Sequence, residues 1–500
     1  MTALHAVAEE VGGRLTGESF EVRHITHVAG DCEPDGIFAA LTGARADGHD
    51  FIPEALARGA RAILSERPAP AGFPAAWLQV ADARRALGQI AALLWGHPSR
   101  RLQLVGVTGT NGKTTTTYLL YEIFRAAYGH AALLGTIEQR IDDDTRPSRL
   151  TTPEAPEVQA FLRRAYEAGC RHAAMEVSSI GLDRWRVADV RFAAAVFTNL
   201  TQDHLDYHGT MERYFDAKLR LFDGRNGEVP AIAVLNADDP RTQDIITAID
   251  GRARLVTYAV RDPQADIRLE QLDIQTRGMA LRVRTPQGAL DFTTKLVGAP
   301  HAYNILAATA TALALDIPVE AVVTGVAKTV VPGRFEVVEG SDDEVLVAVD
   351  YAHTPDALAN VTATARELAR IRNGRVITLF GCGGDRDRTK RPLMAEAAAR
   401  GSDVVILTSD NPRHEPPEQI LDDAEVGLRA VGTPYYRLLD RREAIAFAIR
   451  TAQPGDVVVL AGKGHETYQI LGNLTVHFDD REEAQQALRT IRSDKGARLA

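Results

Sequence analysis

From Leu102 onward the chain repeats one pattern: a short apolar run, a loop rich in Gly, Thr, Asn, Asp or Ser, then a helical stretch. Apolar runs too short for helices and bounded by such loops read as buried strands, and their alternation with helices predicts parallel α/β structure. The runs are LQLVGV, AALLG, AAMEVS, AAVFTN and AIAVLN, ending near residues 107, 135, 178, 199 and 236. The pattern resumes after Arg334 with VLVAVDYA, RVITLFGCGG, DVVILTSDN and DVVVLAGKG, and residues 264–300 between the two read as a small β excursion. Up to about Ser99 the pattern is mixed: IFAALTG reads as a buried strand, FIPEALARGARAIL as a helix running into a strand, and WGHPSRR as a connector. The expectation is an α/β protein of three domains, 1–98, 99–333 and 334–500. A length of 500 residues at about 150 per domain agrees. The sequence holds neither a repeat of fixed period nor a low-complexity segment.

Composition narrows the function classes. Lys and Arg number 57 against 67 Asp and Glu, a formal charge of -10, so nothing global favours nucleic acid or an anionic membrane. Any anionic ligand must be held by local groups. Cys32, Cys170 and Cys382 are few and lack metal-ligand spacing, which suits free thiols in a reducing cytosol. The N-terminal MTALHAVAEEVGG has no cationic segment before an apolar run, and eighteen apolar residues never occur together. The expectation is a cytoplasmic monomer acting on small molecules, with no nucleic-acid partner and no membrane insertion.

Open parallel sheets bind ligands outside the carboxyl ends of their strands, and the unusual polar clusters of this chain fall there. LQLVGV runs into TGTNGKTTTTYLLYEIF, placing Gly109, Thr110, Asn111, Gly112 and Lys113 in a tight loop before a helix. Small residues let backbone N–H groups face a phosphate, the helix N-terminus adds positive potential, and Lys113 supplies a charge. Thr114 is then placed to ligate magnesium. Val107 stands where the usual motif has its first glycine, so this is a shortened variant; a plain Gly-rich turn with a surface lysine is the bland alternative.

Three further clusters follow: MEVSS, TNLTQDHLDYHG and, past a helix, DAKLRLF. Glu176 and His204 offer the sparse oxygen and nitrogen set that magnesium takes when phosphates complete its shell. Phe215, Lys218, Leu219 and Phe222 fall at i, i+3, i+4 and i+7, which puts Lys218 on an apolar helix face. Periodicity alone favours a lysine that snorkels to the surface. Asp350, opening DYAHTP at a strand end, reads by itself as a turn or helix-capping aspartate.

The segments TGTNGKTTT, LTTPE, MEVSS, TNLTQDHLDYHGTMERYFDAK, VLNADDP, HAYNILAA, VPGRFE, DYAHTPDAL, FGCGGDRDRTKRPLMAEAA, SDNPRHEPP and AGKGHETYQ cover most of residues 104–480. In that order they resemble the Mur ligase family, in particular its members that add the third residue of the peptidoglycan stem peptide. The resemblance implies a three-domain Mur ligase architecture, with a central phosphate-loop domain and a C-terminal Rossmann-like domain. It implies an ATP-dependent, ADP-forming amide ligase using ATP and Mg2+. The implied nucleotide contacts are Gly109, Thr110, Asn111, Gly112, Lys113, Thr114, Thr115, Asn199, Asn304, Arg334 and Asp350. Lys113, Glu176, His204 and Lys218 would be catalytic. Thr114 and Glu176 would hold one magnesium; His204 and Lys218, carbamylated by carbon dioxide, would hold a second.

By the same resemblance Thr151, Thr152, Ser178, Arg184 and Arg186 would bind a muramoyl dipeptide acceptor. Arg386, Asp410, Asn411, Pro412, Arg413, Gly462 and Glu466 would bind the incoming diamino acid, arginine meeting carboxylate and glutamate meeting ammonium. Arg413 points to meso-diaminopimelate over lysine or ornithine, because a guanidinium binds the distal carboxylate bidentately; a bracing role on its loop and Glu415 is the alternative. The chain departs from the family on the acceptor side. Val28, Ala29 and Gly30 replace the usual Asp-Ser-Arg, Ile180 follows MEVSS where His is common, and Arg184 stands where some members have Gln. A ligase of a specialised pathway acting on another carboxylate therefore stays open. So does a nucleotide-binding regulator, which would show no amine-dependent ADP release; intact Lys113, Glu176, His204 and Lys218 speak against it.

Overall fold

The strand Gln103–Thr108, which launches the phosphate loop, lies between His172–Glu176 and Ala194–Phe197, all three parallel. In the computed structural model, which describes residues 2–43, 46–341 and 344–499 and side chains through 491, this trio is the middle of an eleven-stranded sheet. Ala132–Leu134 continues it on one side and Ile232–Asn236 on the other, so all five expected central strands are neighbours. The reason is visible in their burial. Val105 and Val107 join the core shared with the helices Lys113–Tyr128 and Ala299–Ala314, whereas Leu104 joins the core beneath Ala155–Glu167, with Met175. A sheet covered on both faces needs apolar side chains at successive positions, hence continuous apolar runs rather than alternation.

The β excursion is a meander of Ile267–Gln275, Gly278–Thr285 and Gly288–Thr294. It does not stand apart: its first strand pairs parallel with Arg254–Ala259, a strand the apolar pattern missed, and so extends the central sheet.

A second sheet has six strands among the described residues, in the order Glu336–Val337, Leu346–Asp350, Val457–Ala461, Val376–Cys382, Val404–Ser409 and Tyr435–Arg437. The four central ones are those expected after Arg334; the two short edge strands carry too few apolar residues to announce themselves. A third sheet orders Arg14–Thr16, Ala76–Gln79, Ala60–Ser65, Gly36–Ala39 and His24–Thr26, with the helix Ala83–Leu94 packed over it. No helix among the described residues is long and apolar enough to cross a membrane. Cys32, Cys170 and Cys382 are buried free thiols.

Candidate active site

A cavity of about 250 Å³ opens at the carboxyl ends of the central strands and is closed from the opposite side by the end of Leu346–Asp350. The phosphate loop forms its floor. Gly112 has φ +87°, and a β-carbon there would lie 2.4 Å from Asn304 Oδ1, so only glycine lets the loop approach the Ala299–Ala314 helix. The Lys113 ammonium folds back over the loop and donates to the Gly109 and Thr110 carbonyls, each at 2.9 Å. Burial pulls its pKa below the ordinary lysine value, against the opposing charges of Glu176 and Asp203.

Glu176 is fully buried beside the loop. Its carboxylate accepts from Thr114 Oγ1 at 3.0 Å, from the Thr136 amide at 2.8 Å and from Thr136 Oγ1 at 3.0 Å. Arg334 donates to the same Thr114 hydroxyl at 3.1 Å and lies 4.8 Å over the Tyr351 ring. Thr115, Asn304 and Asp350 line the cavity with them. Asp350 caps no helix: its Oδ2 accepts the Phe335 amide at 2.7 Å and so pins the loop that carries Arg334, while Thr354 caps the following helix. Asn199 faces the loop rather than the cavity, its Oδ1 accepting the Asn111 amide at 2.9 Å.

Lys218 does not snorkel. It sits at the last turn of the helix Met211–Leu219 with 1% exposure, its Nζ donating to the Gly109 carbonyl at 2.9 Å and lying 4.3 Å over the Tyr214 ring. Burial, then the charge of Lys113, push its pKa well below that of an ordinary lysine. His204, beside it in the cavity, has φ +52° and a pKa lowered to about 4, chiefly by burial.

Several residues of this site were not singled out from the sequence. Asp203 lies in the quoted TNLTQDHLDYHG but was passed over for its neighbour; its carboxylate pairs with Lys390 from the second sheet's layer. Burial would raise the Asp203 pKa, but His204, His353 and Lys390 together hold it below the usual carboxylate range. Asp356, on the helix Pro355–Arg372, accepts from Asn111 Nδ2 at 2.7 Å. Position just past a strand end was the available signal for Thr136; Asp356 and Lys390 lie inside the quoted segments DYAHTPDAL and FGCGGDRDRTKRPLMAEAA, where the resemblance was the signal but no role was assigned to them.

The expected acceptor residues divide. Thr151 and Ser178 line the cavity, and the Thr136 hydroxyl, its proton given to Glu176, lies 3.0 Å from Thr151 Oγ1 as an acceptor. Thr152 is buried behind them, bonding the Glu176 carbonyl at 2.9 Å and Ser178 Oγ at 3.1 Å. Arg186 is also buried, engaged with Glu154 at 2.8 Å and the Thr152 carbonyl at 3.1 Å, and Arg184 donates to Tyr207 Oη at 3.2 Å. Neither guanidinium lines the cavity.

The expected amino-acid residues gather separately, at the carboxyl ends of the second sheet. Asn411 Nδ2 donates to Glu466 Oε2 at 2.9 Å, with Asp410, Gly462 and Lys463 around them. Arg413 donates to the Gly384 carbonyl at 2.8 Å, and both it and the exposed Arg386 lie close to Gly383. The Pro412 carbonyl accepts the Glu415 amide at 3.1 Å. Glu415 is braced by the buried Arg391, at 2.8 and 2.9 Å, and not by Arg413.

A phosphate loop on one parallel sheet, faced by a second parallel sheet that carries its own polar pocket, defines a two-site α/β enzyme. Models of the Mur ligase catalytic, middle and glutamate ligase domains match residues 21–95, 107–312 and 333–464. The chain belongs to the Mur ligase family. It is 46% identical over 476 residues to the UDP-N-acetylmuramoyl-L-alanyl-D-glutamate--2,6-diaminopimelate ligase of Solibacter usitatus, covering 95% of this chain and 94% of that protein. It is 48% identical to the protein of the same name from Synechococcus elongatus, covering 91% and 92%. A solved structure of a ligase of that name superposes with a TM-score of 0.67 at 36% identity, covering 94% and 95%. The Thermotoga maritima MurF ligase in complex with ADP shares the fold, with a TM-score of 0.62 at 20% identity over 94% and 99%.

Proposed function

We propose that this chain is an ATP-dependent, ADP-forming ligase that adds meso-diaminopimelate to the D-glutamate of UDP-N-acetylmuramoyl-L-alanyl-D-glutamate in peptidoglycan synthesis, in the cytoplasm. The carrying observation is one cavity that joins Lys113, Glu176, His204 and Lys218, in a chain similar over nearly its whole length to ligases of that name. Residues 1–98, 99–333 and 334–500 are taken as the acceptor, nucleotide and amino-acid domains.

The acceptor carboxylate attacks the γ-phosphorus of ATP, ADP leaves, and an acyl phosphate forms. The incoming amine then attacks that carbonyl through a tetrahedral intermediate and expels phosphate. Lys113, drawn from the Gly109 and Thr110 carbonyls to the phosphate oxygens, and Arg334 neutralise charge that develops during transfer. The Lys218 amine, in the unprotonated form that its burial favours, adds to carbon dioxide and loses a proton. The carbamate so formed keeps one N–H for the Gly109 carbonyl.

The donor set suits magnesium. Thr114 Oγ1 and the Glu176 carboxylate lie 3.0 Å apart, a sparse set of hard oxygen donors whose shell phosphate oxygens would complete. Thr114 and Glu176 would hold one ion and His204 with carbamylated Lys218 a second, supplying charge neutralisation at the transferred phosphoryl group.

The test is ADP and phosphate release by the purified protein across a panel of acceptors and amino acids. Turnover that requires both the muramoyl dipeptide and diaminopimelate is expected. Turnover with another carboxylate alone would transfer the chain to a specialised pathway.

A further inference from the structure

The Lys463 side chain is fully buried among acidic and amide groups at the end of the strand Val457–Ala461. Its Nζ lies 3.4 Å from Asn411 Oδ1, 3.5 Å from Glu466 Oε2 and 3.6 Å from Asp410 Oδ1. These separations exceed those of a short charge-assisted hydrogen bond, so the ammonium is locked to no single acceptor, and Asp410 Oδ1 is within ion-pair but not hydrogen-bond reach of it. Asp410 is 8% exposed, and its Oδ1 is buried with no hydrogen-bond partner. A buried carboxylate oxygen in that condition is costly unless a donor arrives. Two carboxylates and one ammonium leave the cluster with one negative charge in excess, which the positive charge of an incoming ammonium would neutralise.

We infer that Lys463 is a positioning residue of the amine-binding pocket: set between Asp410 and Glu466, its charge holds the two acids together and oriented to receive the ammonium of the incoming amino acid. The inference rests on the proposed ligase activity and adds to it a residue that never meets the reacting atoms.

Glu466 carries the consequence. Burial and then Asp410 raise its pKa above the ordinary carboxylate value, and Lys463 opposes them. The other titratable groups facing the pair are Tyr351, Tyr468 and Cys382, with Arg441, itself paired to Asp480, and Arg413 farther out. Lys463 is the cation set directly between the two acids. Without it, Glu466 takes up a proton at a higher pH and stops attracting an ammonium.

The experiment measures steady-state kinetics of the full chain with ATP, the muramoyl dipeptide and diaminopimelate, for the unmodified protein, Lys463→Met and Lys463→Arg, between pH 6 and 9.5. For Lys463→Met, KM for diaminopimelate should rise at least about tenfold, with KM for ATP and for the acceptor within about twofold. The acid limb of kcat/KM for diaminopimelate should move up by about one pH unit, and Lys463→Arg should return it. Lys463→Gln, which keeps hydrogen-bonding capacity but drops the charge, repeats the test should the methionine variant not fold. An unmoved acid limb, an equal rise in all three KM values, or a limb displaced in Lys463→Arg overturns the inference. Failure of the unmodified protein to use diaminopimelate overturns the ligase reading instead.

Discussion

Lys218 Nζ and the Gly109 carbonyl meet at 2.9 Å across 109 positions of sequence, joining a helix end to the first glycine of the phosphate loop. The contact places a buried amine, its pKa pushed well below that of an ordinary lysine, where the proposed mechanism wants a carboxylate. Lys218→Ala should therefore abolish ADP release and regain part of it when a short carboxylic acid is added to fill the space. Full activity of the unsupplemented alanine variant would refute carbamylation.

Asp356 ties the second sheet's layer to the nucleotide loop, accepting from Asn111 at 2.7 Å and from Thr201 at 3.3 Å. Removing the carboxylate leaves both donors without it, at about 1 kcal/mol each. Asp356→Ala is expected to raise KM for ATP roughly tenfold, and Asp356→Asn, which retains one acceptor oxygen, much less. Initial-rate measurements at varied ATP check it, and an unchanged KM in the alanine variant would count against the tie.

The sheets and the loop were legible in the sequence because both are local: apolar runs mark buried strands, and small residues before a helix mark a phosphate loop. What joins the layers was not. Asn111 and Asp356 are 245 positions apart, and Asp203 and Lys390 are 187 apart, so no window of periodicity contains both partners. Lys218 marks the boundary between these cases. Its apolar face was readable, but whether the amine turned inward depended on Tyr214 and Gly109. Arg391, in the helix Lys390–Gly401, was not singled out at all, yet it is 1% exposed and holds Glu415 and Asp423.

Arg413 should decide the amino acid. Its guanidinium donates to the Gly384 carbonyl at 2.8 Å and, more loosely, to the Asn411 carbonyl at 3.4 Å, and among the described residues no carboxylate pairs with it. Arg413→Ala should depress diaminopimelate use far more than lysine use, since discrimination by a polar group that must be paired reaches about 10⁴-fold. Competition assays with both amino acids measure the ratio. An equal loss for each would make Arg413 a loop brace.

Arg441 and Asp480 form a fully buried pair, at 2.8 and 2.6 Å, and Arg441 also donates to the Ser409 and Ala461 carbonyls. Breaking it from one side strands a buried charge. Asp480→Ala should lose about 3–5 kcal/mol of stability, read as an earlier transition in chemical denaturation. The double replacement Arg441→Met with Asp480→Leu should recover much of that. A single variant as stable as the unmodified protein would show that the pair is dispensable.

Val28 and Trp95, 42% and 41% exposed, line a hollow of about 280 Å³ between the third sheet and the start of the helix Ala155–Glu167. With Val28, Ala29 and Gly30 in place of a hydroxyl and an ionic pair, the uridine end is expected to lean on apolar and aromatic surface here. Trp95→Ala should weaken the intact acceptor about tenfold while leaving an acceptor without its uridylyl portion unaffected. Calorimetric titration of both compounds separates the cases, and equal effects on the two would place the uridine elsewhere.

The position of Gln103–Thr108 in the middle of the central sheet also sets an order of events during synthesis. Both of its hydrogen-bonding neighbours, His172–Glu176 and Ala194–Phe197, lie later in the chain. A ribosome that has released the phosphate loop must add about ninety more residues before the strand beneath it is flanked on both sides, and pairing over such separations is slow. Until then the nascent chain carries an apolar strand with open edges, the condition under which growing polypeptides associate with one another or recruit a chaperone.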